Sequence, residues 1–104
     1  MSFANIEINF QQAQAQAQKL EDVADSMKRL ADQQMTGTIQ EMSACWKGET
    51  AAAYFGKMEK VKQEVEATAE TLYAAANSIR TQAKRIYDAE MQAIALAQSE
   101  AKNI

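Results

Sequence analysis

Residues 42–55, MSACWKGETAAAYF, decide the fold. On either side of this stretch the chain is dense in helix-forming residues, and Trp46-Lys47-Gly48 interrupts it near the middle of 104 residues. Glycine readily takes the backbone conformation that ends a helix. Glu49 and Thr50 then suit the first turn of a new helix, where a carboxylate meets unpaired N–H groups and the positive end of the helix dipole. The predicted turn is 46–48, with one helix before it and one after.

Upstream of the turn, Leu20, Val23, Met27 and Leu30 follow 3–4–3 spacing, and Met35, Ile39, Met42 and Trp46 follow 4–3–4. Both are the spacing of one helical face. The step from Leu30 to Met35 breaks the seven-residue repeat, which predicts one helix with an irregular seam over about 10–45. Gly37, flanked by Thr36 and Thr38, costs roughly 1 kcal/mol relative to alanine and is the expected bend. Ile6, Ile8 and Phe10 alternate with Glu7 and Asn9, the pattern of a short extended arm, with Asn9 then serving as helix cap. The alternating glutamine and alanine tract at 11–18 has good helix propensity and is read as a helical first segment, with disorder as the alternative.

Downstream, Met58, Val65, Leu72, Ile79, Ile86 and Ala93 recur every seven residues. Val61, Thr68, Ala75, Ala89 and Leu96 interleave with them, and Gln82 is the one strongly polar member of that seam. This coiled-coil-like repeat predicts a second helix over about 50–98, with a frayed tail at Ala101, Lys102, Asn103 and Ile104. The expected hairpin and dimer core is Leu20, Val23, Met27, Leu30, Ile39 and Met42 against Met58, Val65, Leu72, Ile79 and Ile86. Helices of this length reach roughly 55–70 Å at ~1.5 Å per residue. One folded-back chain covers only one side of each stripe, so the expected architecture is an all-α, antiparallel two-helix hairpin, a single domain over 1–104, that dimerises into a four-helix bundle.

Composition narrows the function. Proline and histidine are absent and glycine occurs three times, too few turn residues for a sandwich or barrel. Without histidine there is no imidazole for a catalytic triad or a histidine-ligated zinc site. The carboxylates are scattered rather than paired, and no enzyme activity, cofactor or metal is expected. With 11 basic against 14 acidic residues the net charge is −3, which is not the footprint of a nucleic-acid binder. No segment approaches the length of a membrane span, the N-terminal residues lack the pattern of a cleavable leader, and the polar faces are too poor in Lys and Arg for avid binding to anionic lipid. Cys45 cannot close an intrachain disulfide and is expected as a small buried hydrophobe at the helix end, ahead of a reactive thiol. The six methionines are assigned to core packing. Gly56 either allows a close helix approach or is simply tolerated.

Trp46-x-Gly48, placed mid-chain between two long amphipathic helices, resembles the turn of the WXG family, small proteins of about one hundred residues exported by type VII (ESX-type) secretion systems. Ile6-Glu7-Ile8-Asn9 is similar to that family's lead-in. Ala17, Leu20, Leu30 and Met42 fall at its small or apolar positions, and Ala51, Ala52 and Phe55 resemble the start of its second helix. The family's C-terminal export signal is a tyrosine, three residues, then an acid. Here Tyr87 is followed by Glu90, one residue early, with Met91 at the expected place. A looser hydrophobic and acidic pattern fits Ile86, Glu90, Ala93 and Ala97.

The resemblance implies a non-enzymatic substrate or adaptor, cytoplasmic before export and secreted without a cleavable signal peptide. It implies a homodimer, or a heterodimer with a related hairpin protein, recognised by an FtsK/SpoIIIE-type membrane ATPase. The other function considered is a helical chaperone or targeting partner for a larger type VII toxin.

Overall fold

The computed structural model describes residues 2–102. These form α1 (Phe3–Arg29), a π-helical segment (Leu30–Met35), α2 (Thr36–Cys45) and α3 (Glu49–Lys102), and no strand occurs among them. The all-α class follows from a chain without proline whose three glycines leave long stretches of alanine, glutamine, glutamate and lysine uninterrupted.

Several boundaries differ from expectation. Helix one begins at Phe3 rather than near residue 10, so Ile6, Ile8 and Phe10 are helical and form no extended arm. Ser2, not Asn9, caps it: the Asn5 N–H donates to Ser2 Oγ at 3.2 Å, and the Ile6 N–H to the Ser2 carbonyl at 3.2 Å. Ile6 and Phe10 are four apart and share one helical face, which the alternation had obscured. The tract at 11–18 is wholly helical. Helix two continues through Ala101 and Lys102, while Asn103 and Ile104 lie outside the described residues. Gly37 sits inside regular α2, and the irregularity falls at Leu30–Met35, where the seven-residue repeat breaks.

The chain divides into two compact units. In the first, residues 2–20 pair with residues 74–102 in antiparallel order, Glu7 meeting Tyr87 and Gln14 meeting Arg80. Ile6, Ala17 and Ala76 are fully buried there. In the second, residues 21–73, the chain turns back on itself, and Ala24, Ala31, Ile39, Ala51 and Ala69 are buried. Small side chains at these positions let helix backbones approach closely, so the innermost row is mostly alanine and the larger residues flank it.

This places the expected core. Ile39 is buried, while Leu20, Met27, Met42, Met58, Val65, Leu72 and Ile79 are half-buried beside the alanines. Val23, Leu30 and Ile86 are exposed and belong to no core within the single chain. On α3 the residues that join the Met58–Ile79 row are Lys62, Ala69, Ala76 and Ala83, four positions on, rather than Val61, Thr68 and Gln82, three positions on. Both offsets lie on one helical face, and Ala75 is half-buried as well; at Ala69, Ala76 and Ala83 the small side chain admits the neighbouring helix.

Candidate functional site

The tip of the 21–73 unit is built by the turn. Helix α2 ends as the Trp46 N–H donates to the Met42 carbonyl at 2.8 Å, and Trp46 itself turns extended, with φ −116° and ψ 115°. Gly48 has φ 112°, a conformation that strains any residue with a Cβ, although open space surrounds it. Its carbonyl accepts the Ala52 N–H at 3.0 Å and so opens α3, with Glu49 in the first turn.

Three aromatic rings close on this turn. Trp46 lies 5.4 Å from Tyr54 and 5.6 Å from Phe55, the latter edge-to-face, and Tyr54 lies 6.4 Å from Phe55. These separations fall in the favourable range for aromatic pairs. Trp46 remains 38% exposed and Tyr54 47%, so the cluster presents apolar surface to solvent. Beside it is a shallow cavity of about 250 Å³ lined by Trp46, Gly48, Ala51 and Phe55. Cys45 is exposed, contrary to expectation, with its Sγ 3.6 Å from the Glu41 and Met42 carbonyls. The chain leaves the helix one residue later, so Cys45 sits on the outer side of the last turn and only Trp46 reaches the aromatic cluster.

The expected C-terminal signal residues lie in the other unit. Ile86 is exposed, Tyr87 and Glu90 are half-buried, and Ala93 and Ala97 are exposed. Tyr87 packs on Phe10 with ring centroids 4.7 Å apart and donates its hydroxyl to Glu7 Oε1 at 2.5 Å. The bond to Glu7, with desolvation and the charges of Glu7 and Asp88 adding, holds the Tyr87 hydroxyl protonated above its ordinary pKa of 10.

A matching contact escaped the sequence reading. In the 21–73 unit Tyr73 donates its hydroxyl to Asp25 Oδ1, and Lys28 Nζ sits 3.6 Å from Glu70 and 5.9 Å over the Tyr73 ring. The Asp25 bond is the largest cause pushing the Tyr73 pKa up to about 12, with desolvation and nearby acids adding. Tyr73 and Tyr87 stand fourteen residues apart on α3, two heptads, which was the available signal. Tyr54 was missed for the cluster because it lies beside Phe55 and no periodic stripe includes it.

A long helix joined by an aromatic–glycine turn to a second long helix, with apolar rings exposed at that turn, defines an all-α helical hairpin protein. The chain belongs to the WXG100 family, described as proteins of 100 residues with WXG, which matches residues 5–91. That family is associated with type VII secretion substrates, is known for secreted helical proteins rather than enzymes, and its members typically pair with helical partners. No curated protein and no solved structure matches the chain significantly. Among the described residues no helix is long and apolar enough to cross a membrane.

Proposed function

We propose that the chain is a substrate or adaptor that leaves the cell through a type VII system as a folded helical dimer, with a second copy or with a related hairpin protein. The observation carrying this reading is the set of large apolar side chains left on the surface of each unit. Val23, Leu30 and Val61 are 51%, 41% and 49% exposed in one, and Ile86 and Leu96 are 57% and 64% exposed in the other. Val23 and Leu30 line one groove with Met27, and exposed apolar surface of this kind supports a protein partner. Burying it contributes about 25 cal/mol per Å² of apolar area, the driving force that association requires.

In the proposed dimer the Trp46–Gly48 turn of one protomer lies beside residues 86–97 of its partner. The two together form the surface engaged by an FtsK/SpoIIIE-type ATPase, with the protein cytoplasmic before export. Trp46 supplies the anchor: a partly exposed aromatic held by Tyr54 and Phe55 is the kind of residue that dominates interface energies. Trp46→Ala is expected to reduce export sharply in a cell carrying the system while circular dichroism retains most helicity. Export at the unsubstituted level contradicts the reading.

A second reading is favoured by the spacing after Tyr87, where the acid comes one residue early. A chain with a displaced signal fits a chaperone or targeting partner that travels with a larger type VII toxin. Export that depends on a co-expressed toxin, and fails without it, selects this reading.

A further inference from the structure

Within the 21–73 unit, Ala24 and Ala31 are fully buried seven residues apart, and the next buried residue, Ile39, comes eight residues later. An α-helix advances about 100° per residue, so seven residues fall about 20° short of two full turns and eight overshoot by about 80°. A continuous α-helix through this stretch would carry Ile39 well off the face that holds Ala31. The π-helical segment Leu30–Met35 starts just before Ala31 and ends short of Ile39, and a π turn takes up one extra residue. Thr36 seals it: its backbone N–H and its hydroxyl both donate to the Ala31 carbonyl, the hydroxyl at 3.0 Å.

The consequence reaches the tip. Counted from Ala31, the packed residues Met35, Ile39, Met42 and Trp46 stand at +4, +8, +11 and +15. By the same count an all-α path keeps Met35 and Met42 within about 40° of Ala31 but brings Thr38 and Cys45, about 20° and 40° off, to the packed face in place of Ile39 and Trp46, about 80° and 60° off. Burying the Thr38 hydroxyl and Cys45 there while Ile39 and Trp46 swing off the face is disfavoured, so the apolar choice holds the π turn in place. We infer that Leu30–Met35 is a register device: a one-residue insertion, absorbed as a π turn, that makes Trp46 rather than Cys45 the residue that closes on Tyr54 and Phe55. This concerns how the tip is assembled, and it stands whether or not the tip is read by a secretion ATPase.

Two variants test it, with the emission of Trp46, the only tryptophan, as the readout. Deleting one glutamine of the Gln33-Gln34 pair restores plain seven-residue spacing from Ala24 to Trp46. The expected result is unchanged Trp46 emission, slower amide exchange at 31–36 and a melting midpoint equal to or a few degrees above that of the parent. Exchanging one pair of neighbours (Thr38→Ile with Ile39→Thr) moves the apolar row onto the all-α path. The expected result is a red-shifted Trp46 emission and loss of energy transfer from Tyr54. A deletion variant that melts lower or exposes Trp46 overturns the inference whatever the exchanged variant does, as does an exchanged variant that folds with Trp46 emission unmoved.

Discussion

In the unit formed by residues 21–73 the turn lies inside the unit, and three rings in tilted and edge-to-face contact fasten the helices at that end. In the unit formed by 2–20 and 74–102 no turn is present among the described residues, and side chains alone hold the two segments. The difference shows in where the larger anchors sit. A tight turn keeps the closure entropy low, and alanines with one isoleucine, Ile39, make up the buried row of the 21–73 unit. The other unit buries Ile6, the largest fully enclosed side chain among the described residues, with Ala17 and Ala76, and adds the tilted Phe10–Tyr87 ring contact and the Arg80 bonds to Gln14 and Gln18 at 3.3 and 3.4 Å. Each unit buries alanines with one isoleucine, and they differ in where the aromatic anchors lie: at the turn in the 21–73 unit, and between the two paired segments in the other.

That contrast is open to breakage. The largest effect is expected from Ile6→Ala, which should cost about 2–5 kcal/mol of local stability by emptying a fully enclosed site. Amide exchange should quicken over residues 3–20 and stay slow around Ala24–Ile39; uniform quickening would deny the units their separate anchors. Next comes Ala69→Leu, where the same kind of change in the 21–73 unit fails by overfilling. It should cost about 1–3 kcal/mol by forcing the helices apart, read as a lower urea midpoint. An unchanged midpoint would mean that close approach through alanine is not what holds this unit.

The smallest effect is alkaline. Tyr73 in the folded chain keeps its proton to about 12, whereas in the unfolded chain it releases it near 10. The folded state therefore binds more protons in that window. The contribution is whole below pH 10 and is lost as the pH rises toward 12. Tyr73→Phe is expected to flatten that part of the alkaline loss, leaving the part from Tyr87, whose pKa is raised through Glu7. An alkaline melt identical to that of the parent would mean that the Asp25 bond does not survive in solution.

Much of this architecture could be read from residues alone. The turn at Trp46-Lys47-Gly48 was legible because a positive-φ glycine and a first-turn glutamate are local signals that tertiary context rarely overrides. The break between Leu30 and Met35 was visible as spacing, but spacing does not say how a helix absorbs a surplus residue, and the flexible glycine at 37 drew the irregularity to the wrong place. The alanine rows were passed over because periodicity is weighed by hydrophobicity, and alanine matters here for its size. The tip cluster was half legible: Trp46 and Gly48 stood out, whereas Tyr54 and the tyrosine–carboxylate pairs depend on which residues of two distant segments come level, which a stripe on one helix does not reveal.

The central claim is that a single chain leaves apolar faces that a helical partner must cover. Light scattering on the purified chain at micromolar concentration tests it most directly. The account predicts a stable species of twice the 11.5 kDa of one chain, formed alone or on mixing with a related hairpin protein. A compact, soluble species of 11.5 kDa that stays so on mixing with such a protein would contradict it.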